Sequence, residues 1–475
     1  MSFDAVAYLN HPRWQQVKPG LERIEALLGL MGTPQQDLRF VHVAGTNGKG
    51  SVSAMTASIL QAAGLRTALF TSPFLFRFEE RIRVNGAPID PLQLQEVTLA
   101  VAQAADQLPE HPTEFELMTA VALEHFRREG CQMVVLETGL GGRLDSTNVI
   151  AAPEVCAITP IDLDHTVLLG DTVAQIAREK AGILKPGATM VSAVQPPEAA
   201  AVIAEVAQGL GTDVTWVDPT RCVVEGAPTP SGQTLSYRGL SGLRIPLAAP
   251  YQVSNAAQAV DVALALRERG WDVSDKAIRD GLSRVRWPGR FQVLASPALH
   301  AATESSLQRV ASRESAPNAA GGSSPVHDVA LPPVVLDGGH NAQGARALAD
   351  SLAAVFPGRR VVFVMGVLAD KDSDAMLEAL LPMAKAVVCV QPDNPRALPA
   401  EMLARKAMSA LADRDAFDDR SQGCVVVVRP DLELGVASAL ELANPDDVAC
   451  CCGSLYAAGD FVAALERAGY EVPTF

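Results

Sequence analysis

The chain has 475 residues, a length at which two domains are expected because a single hydrophobic core stops growing at roughly 250 to 300 residues. Its 48% hydrophobic and 20% charged residues are typical of a globular protein and exclude global disorder. The formal net charge of −15 argues against nucleic acid or an anionic membrane as a partner, since both require a basic surface.

The start of the chain and its cysteines indicate the compartment. Residues 1–4 lack the basic and apolar regions of a signal peptide, and no apolar run approaches the roughly 18 residues that span a bilayer. The eight cysteines show no C-x-x-C spacing and mostly lie in apolar runs, as reduced core residues do. We therefore expect a cytoplasmic protein that binds neither nucleic acid nor a membrane.

Apolar, β-branched runs alternate with amphipathic stretches from Phe40 onward, a pattern that is typical of βαβ units and parallel sheets. The predicted strands of the first half are Phe40 to Val43, Thr67 to Phe70, Met133 to Leu136 and Val155 to Ile158. The pattern restarts further along, and Val334 to Leu336 is taken as the first strand of a second domain. The later predicted strands are Val361 to Val364, Ala386 to Val390, Cys424 to Val428 and Val448 to Cys452.

These patterns predict an α/β protein with two domains. Residues 1–290 would form a domain around a parallel-rich sheet, and residues 291–475 a second, smaller α/β domain. Between them, Trp287-Pro288-Gly289-Arg290 interrupts both regular periodicities and predicts a hinge near Arg290. Residues 301–328 are rich in Ser, Ala, Gly and Arg and predict a mobile surface-loop insertion.

A glycine-rich turn, Gly45-Thr46-Asn47-Gly48-Lys49-Gly50-Ser51, follows the first predicted strand and leads into a predicted helix from Ser51 to Ala63. Strand, glycine loop and helix is the context that a phosphate-binding loop requires, because glycines let backbone N–H groups approach the phosphates. Lys49 can reach the β- and γ-phosphate oxygens, and Ser51 offers a hydroxyl where Mg²⁺ would sit. The spacing is contracted relative to the Walker A pattern, so a chance glycine turn is the alternative.

Polar residues follow two further predicted strands. Glu137 follows the third strand, and Asp164 and His165 follow the fourth. Because ligand sites of α/β sheets lie beyond the carboxyl ends of the strands, these side chains are candidate site residues, and an imidazole beside carboxylates, as at His165, can bind a divalent ion. Alternatively, Glu137 is a solvated charge and His165 a structural residue. Lys180 lies near a helix end that Gly and Pro terminate, and its ordinary role would be a surface salt bridge.

These segments together resemble the folylpolyglutamate and dihydrofolate synthases of the Mur ligase superfamily, in particular the bifunctional bacterial type. The matching motifs are the glycine loop G-T-N-G-K-G-S, T-S-P at residues 71–73, E-K-A-G-I at 179–183, Q-x-x-N-A at 252–256, W-P-G-R at 287–290, D-x-x-H-N at 337–341 and G-S at 453–454. The chain departs from the family pattern at Phe74 and Tyr251, where the family has His, and at Gly339 and Ala342, where it has Ala and Pro.

The resemblance implies an ATP-dependent ligase that activates a carboxylate as an acyl phosphate and couples it to an amino acid. It implies that residues 1–290 form a P-loop NTPase-like domain that binds ATP and folate, and residues 291–475 a smaller Rossmann-like α/β domain that binds glutamate. It implies these ATP-binding residues: Asn47, Gly48, Lys49, Gly50, Ser51, Asn255, Arg290 and Asp337. It implies two Mg²⁺ sites with ligands among Ser51, Ser72, Glu137, His165 and Lys180, the last carbamylated by CO₂. The catalytic roles would fall to Lys49, Lys180, His165 and His340.

The implied substrates are ATP, L-glutamate, dihydropteroate and reduced folates, handled by a monomer that closes about Arg290. The implied folate-binding residues are Leu21, Glu22, Arg23, Ile24, Thr113, Glu114, Phe115, Glu116, Leu144, Asp145 and Ser146. Glutamate would be held by His340 and Ser454. From the residue alone, the ring of Phe115 could stack on a ligand or simply pack in the core.

Three alternatives compete with this interpretation. The first is a monofunctional folylpolyglutamate synthase, since whether the chain performs both steps is a hypothesis, or another Mur-type amino-acid ligase. A Mur enzyme that extends a UDP-linked peptide carries a further N-terminal domain, for which a phosphate loop starting at Gly45 leaves no room. A switch-type ATPase or GTPase is disfavoured because the sequence has no N-K-x-D guanine motif and because such a protein leaves the Lys180 segment unexplained.

Overall fold

The computed structural model describes residues 3–15, 18–294, 331–415 and 423–472. The predicted insertion at residues 301–328 lies outside the described residues. The chain divides into two compact units, Met1–Pro288 and Gly289–Thr474. The division therefore falls inside the Trp-Pro-Gly-Arg segment that interrupts the sequence periodicities.

The first unit is an α/β body with an added antiparallel sheet. Its strands are β1 (Phe40–Ala44), β2 (Thr67–Phe70), β3 (Ile82–Val84), β4 (Ala87–Pro88), β5 (Met133–Glu137), β6 (Val155–Ile158), β7 (Thr189–Ser192), β8 (Val214–Trp216), β9 (Val223–Val224), β10 (Gln233–Tyr237) and β11 (Leu240–Ile245). Its helices are α1 (Ala5–Leu9), α2 (Glu22–Leu30), α3 (Lys49–Ala62), α4 (Pro91–Ala105), α5 (Glu114–Arg128), α6 (Thr166–Leu169), α7 (Val173–Ala181), α8 (Pro197–Gly209), α9 (Gln252–Glu268) and α10 (Asp275–Arg284). Short 3₁₀ turns lie at Pro34–Asp37, Phe78–Arg81, Ser146–Val149 and Pro219–Arg221.

The large sheet has the strand order β4-β3-β2-β5-β1-β6-β7-β8. The six strands β2, β5, β1, β6, β7 and β8 are parallel. At one edge β3 pairs antiparallel with β2, and β4 pairs antiparallel with β3. Its central strands are buried on both faces, which is why they are nearly continuous apolar runs. Val41 and Val43 pack in a core with α3 and α9, and Phe40 packs on the opposite face with α4 and α5. The predicted α/β class is confirmed.

The strand order determines where the functional loops lie. β1 pairs with β5 on one side and β6 on the other, and β2 pairs with β5. The four strands are parallel, so their carboxyl ends lie side by side at one edge of the sheet. Residues expected to act in the site follow each of these strands, and the topology therefore gathers loops that are far apart in the sequence.

A small sheet of three antiparallel strands, in the order β11-β10-β9, is attached to α9 through the buried carboxylate of Asp261. Asp261 of α9 is 3% exposed and accepts a hydrogen bond from the Tyr237 hydroxyl at 2.7 Å. Arg238 Nε donates to the other carboxylate oxygen of Asp261 at 2.8 Å. Tyr237 is the last residue of β10 and Arg238 follows it, so these two contacts fix the small sheet on the helix.

The second unit has one sheet with the order β12-β13-β17-β14-β15-β16. Its elements are β12 (Gln292–Leu294), β13 (Val334–Leu336), α11 (Ala342–Val355), β14 (Val361–Met365), α12 (Ser373–Leu380), β15 (Ala384–Cys389), α13 (Ala400–Asp415), β16 (Val425–Val428), α14 (Leu432–Leu442), β17 (Val448–Cys452) and α15 (Ala458–Arg467), with 3₁₀ turns at Leu381–Met383 and Leu455–Ala457. Strands β13 to β17 are parallel, as predicted. The assignment of Val334 to Leu336 as the first strand is wrong, because β12 precedes it and pairs with it antiparallel. A three-residue strand directly after a turn carries too little periodicity to be recognised in the sequence.

None of the helices in the described part of the chain combines the length and the hydropathy that a membrane span needs.

Candidate active site

The glycine-rich loop lies between β1 and α3, where close neighbours exclude side chains. Gly48 has a φ of 89°, and a Cβ there would lie 2.7 Å from Asn255 Oδ1 of α9. A Cβ at Gly50 would lie 2.7 Å from Cζ2 of the Trp287 ring. The glycine that interrupts the Walker spacing therefore makes room for a tryptophan, which a chance glycine turn does not explain.

Two lysines of the site meet at one carbonyl oxygen. Lys49 Nζ donates to the Gly45 carbonyl at 3.2 Å, and Lys180 Nζ donates to the same oxygen at 2.6 Å. Lys180 is 5% exposed, and its pKa is lowered to about 7, chiefly by burial and also by the charge of Lys49, while Asp164 and Asp145 oppose the shift. A surface salt bridge is therefore the wrong interpretation of Lys180.

Glu137 and Ser72 form the neighbouring part of the site. Glu137 is the last residue of β5 and is 4% exposed, so its interpretation as a solvated charge is wrong. The Ser72 backbone N–H donates to Glu137 Oε2 at 3.3 Å, and the Ser72 hydroxyl accepts from Arg81 Nη1 at 2.9 Å. The loop after β2 thus brings a hydroxyl, a carboxylate and a guanidinium together.

Arg81 was missed by the sequence analysis. It closes the 3₁₀ turn Phe78–Arg81 and is 7% exposed. The available signal was a charged triplet, residues 79–81, inside a phenylalanine-rich segment directly before β3. An arginine in such a position is normally expected to be exposed to solvent. Only the fold shows that Arg81 is buried against Ser72.

The loop after β5 is fastened to the helix that carries Lys180. The Arg143 backbone N–H donates to the Glu179 carbonyl at 2.8 Å, and the two side chains form an ion pair at 2.9 Å. Asn148 Nδ2 donates to the Gly182 carbonyl at 3.1 Å. The two segments that were singled out separately in the sequence are therefore one packed structure.

Ser51 and His165 occupy different environments. Ser51 is 2% exposed, and its hydroxyl accepts from Gln252 Nε2 at 3.3 Å. The His165 side chain is 44% exposed, and its Nε2 lies 3.8 Å from Asp164 Oδ2. The backbone φ of His165 is 49°. In the described part of the chain no three His, Cys, Asp or Glu side chains form a group that could hold a metal ion. The expected ligand set differs from such a group because it relies on serine hydroxyls and on a modified lysine.

The three segments expected to bind folate lie against each other. Arg23 of α2 forms an ion pair with Glu116 of α5 at 3.0 Å, and Thr119 of α5 shares a hydrogen bond with the Ser146 hydroxyl at 2.9 Å. The Phe115 ring lies 5.9 Å from that of Phe70 and blocks any side chain at position 139. In this structure Phe115 packs against the loop that follows Glu137.

Asp145 holds that loop in place. Its Oδ2 accepts the Leu140 N–H at 2.8 Å, and its Oδ1 accepts the Thr147 N–H at 3.0 Å and the Thr147 hydroxyl. Burial raises the pKa of this carboxyl, and the hydrogen bonds partly offset the effect. Leu144 and Ser146, expected to bind folate, flank this anchored carboxylate.

In the second unit the expected residues follow β13 and β17, which are parallel neighbours. Asp337 is 4% exposed and accepts the Phe291 N–H at 2.8 Å and the Gly339 N–H at 2.7 Å. Its carboxylate therefore holds Phe291, whose φ is 49°. Arg290 Nη1 donates to the preceding carbonyl at 3.2 Å.

The two turns that follow these strands touch. His340 Nδ1 lies 3.0 Å from the Gly338 carbonyl, and a Cβ at Gly338 would lie 2.0 Å from the Leu455 side chain. Ser454 is 2% exposed, and its hydroxyl accepts the Tyr456 N–H at 3.2 Å. The segments expected to hold glutamate are thus adjacent within this unit.

Comparisons with known proteins agree with this geometry. The Mur ligase middle domain matches residues 43–263, and the Mur ligase, glutamate ligase domain matches residues 326–455. The chain is 36% identical over 394 residues to the dihydrofolate synthase/folylpolyglutamate synthase of Bacillus subtilis, which covers 80% of this chain and 83% of that protein.

Solved structures are similar over nearly the whole chain. Mycobacterium tuberculosis folylpolyglutamate synthase complexed with ADP superposes with a TM-score of 0.80 at 30% identity, covering 99% of this chain and 100% of that one. E. coli FolC in complex with DHPP and ADP has a TM-score of 0.78 at 28% identity, covering 98% and 97%. The chain belongs to the dihydrofolate synthase/folylpolyglutamate synthase family of Mur ligase-domain enzymes.

Proposed function

We propose that the protein is an ATP-dependent ligase that joins L-glutamate to dihydropteroate, giving dihydrofolate, and to the γ-carboxyl of reduced folates. The observation that carries the proposal is the meeting of the phosphate loop, Glu137 with Ser72, and the buried Lys180 at one edge of the large sheet. A carboxylate and an amine do not condense unaided, and this edge offers what activation by ATP needs.

The residues fit Mg²⁺. Serine hydroxyls and a carboxylate are hard oxygen ligands, and Ser72 and Glu137 are neighbours, since the Ser72 backbone N–H donates to Glu137 Oε2 at 3.3 Å. Ser51 would contribute its hydroxyl from the start of α3, and His165 an imidazole from the loop after β6. Bound there, Mg²⁺ would neutralise charge on the phosphoryl oxygens. We assign two such sites.

Lys180 fits a carbamate. CO₂ adds to a neutral amine, and burial favours the neutral form of this one. The Lys49 ammonium, which shares the Gly45 carbonyl with Lys180, would balance the negative charge of the product. The modification would convert a buried cation into an anionic oxygen ligand.

The remaining steps follow from the residues of the chain. Lys49 and the loop N–H groups would hold the γ-phosphoryl group while an oxygen of the substrate carboxylate attacks phosphorus and ADP leaves. The acyl phosphate would then be attacked at its carbonyl carbon by the glutamate amine, with release of phosphate and a proton. We assign nucleotide contacts also to Asn47, Asn255, Arg290 and Asp337, and glutamate contacts to His340 and Ser454.

Product analysis tests the proposal. Purified protein is incubated with ATP, Mg²⁺ and L-glutamate, and with dihydropteroate or tetrahydrofolate in separate reactions. A new amide with stoichiometric ADP is expected in both, and ATP hydrolysis without an amide in either would contradict the ligase assignment. An amide from tetrahydrofolate alone would instead identify a monofunctional folylpolyglutamate synthase.

We further propose that the protein works as a cytoplasmic monomer. Light scattering coupled to size-exclusion chromatography should give about 50.0 kDa. A mass of twice that value or more would contradict the monomer.

A further inference from the structure

The guanidinium of Arg81 contacts a hydroxyl and two aromatic rings in the segment after β2. Arg81 Nη1 donates to the Ser72 hydroxyl at 2.9 Å. Its Cζ lies 5.0 Å from the centre of the Phe74 ring and 5.6 Å from that of Phe78. Two aromatic faces and one hydroxyl stabilise the orientation of this cation.

The neighbouring acid Glu80 has another task. Glu80 is 4% exposed, and its carboxylate accepts the backbone N–H groups of Leu75 at 3.0 Å, Phe76 at 3.3 Å and Arg77 at 2.9 Å. This carboxylate therefore fixes the turn on which Arg81 is mounted. The turn therefore fixes the position of the Arg81 guanidinium.

Arg81 is near both parts of the site. It donates to Ser72, whose backbone contacts Glu137. Glu114, in the segment expected to bind folate, is also near; burial raises the pKa of Glu114, and the charge of Arg81 opposes that rise. A carboxylate that attacks a phosphoryl group has to lie between the phosphate side and the segment that binds the rest of the acid.

We propose that the Arg81 guanidinium, oriented by Ser72 and the Phe74 and Phe78 rings, binds the carboxylate of the acid substrate and makes the site selective for an anionic acid. This assignment rests on the proposed ligase function. A planar guanidinium can bind both oxygens of a carboxylate, which leaves either one in position to attack phosphorus. Phe74, at the position where the family has His, is then a positioning residue for Arg81.

The role of Arg81 is tested by comparing the affinity for an anionic ligand with that for its neutral analogue. Binding of dihydropteroate and of its neutral carboxamide is measured by calorimetry in the presence of ADP and Mg²⁺. The wild type should bind the acid about tenfold to a hundredfold more tightly, the range for a hydrogen bond between charged groups. Arg81→Gln should abolish this preference and leave ADP affinity unchanged. Arg77→Gln is the matched control, because that side chain is 69% exposed, and it should behave as wild type.

Two further variants keep the test decisive if Arg81→Gln does not fold. Arg81→Lys keeps the charge but loses the planar fork, so acid affinity should fall at least threefold while carboxamide affinity holds. Phe74→Leu removes one ring and should lower acid affinity about threefold. Unchanged acid preference in Arg81→Gln, or wild-type acid affinity in Arg81→Lys, would overturn the assignment of Arg81. The proposed ligase function fails separately, if the wild type forms no amide.

Discussion

Replacing Lys180 by Met separates the stability of the site from its chemistry. The fold lowers the pKa of Lys180 from 10.5 to about 7. Each pKa unit corresponds to about 1.4 kcal/mol, so keeping this lysine protonated in the folded chain costs about 5 kcal/mol. Methionine has a similar length and no charge, and Lys180→Met should therefore stabilise the fold while it removes activity.

The sign of the pH dependence follows from which state binds the proton. The folded chain has the lower pKa, so between pH 7 and 10.5 the unfolded chain binds more protons and wild-type stability rises with pH. The advantage of Lys180→Met should thus shrink from about 5 kcal/mol at pH 6.5 to about 2 kcal/mol at pH 9. Loss of the hydrogen bond to the Gly45 carbonyl subtracts about 1 kcal/mol at either pH.

Urea unfolding in buffer purged of CO₂ measures these differences, and amide formation measures turnover. Lys276→Met serves as control, because its side chain is 81% exposed and should change stability by no more than about 0.5 kcal/mol. Lys180→Ala should have almost no turnover, and acetate should restore part of it by supplying the missing carboxylate. A Lys180→Met protein less stable than wild type at pH 6.5, or one with normal turnover, would refute this account of the site.

Three other substitutions probe the phosphate loop, the metal site and the small sheet. Gly50→Ala places a Cβ 2.7 Å from Trp287 and should raise the KM for ATP at least tenfold. A second change, Trp287→Leu, should restore part of the affinity for ATP. A KM that stays high in the double variant would contradict the steric explanation. Glu137→Gln should raise the Mg²⁺ concentration needed for half-maximal rate by tenfold or more, and an unchanged Mg²⁺ titration would remove Glu137 from the ligand set. Asp261→Asn leaves Arg238 without its buried carboxylate and should lower the free energy of unfolding by about 3 kcal/mol, with the KM values unchanged. Urea unfolding measures the loss. A loss below about 1 kcal/mol would show that the pair is not important for the fold.

The central strands were predictable because parallel strands buried on both faces are continuous apolar runs. Val155–Ile158 and Val361–Met365 are found within one residue of their predicted ends. Strands at the periphery carried no such signal. β3 and β4 extend the sheet antiparallel with three and two residues, and β9 to β11 form a separate small sheet whose outer residues are exposed. Their pairing depends on tertiary contacts rather than on local pattern.

The site was predictable as separate segments but not as an arrangement. Residues after strand ends could be singled out because α/β sites lie there, yet the spatial order β2-β5-β1-β6 is not contained in the order of the chain. The burial of Lys180 depends on the loop at Gly45, 135 residues away in the sequence. Arg81 was overlooked for the same reason, because a charged residue in a short turn gives no sign that two phenylalanine rings enclose it.

The position of β1 in its sheet also sets the order in which the protein can acquire its site during synthesis. Phe40 pairs with Val134, 94 residues later, and Val41 pairs with Val155, 114 residues later, so the strand that precedes the phosphate loop gains its two neighbours only long after it has left the ribosome. Pairing over such separations is slow, because loop-closure entropy must be overcome before the contacts form. A nascent chain that ends before β6 should therefore bind no nucleotide, although its glycine loop is already complete.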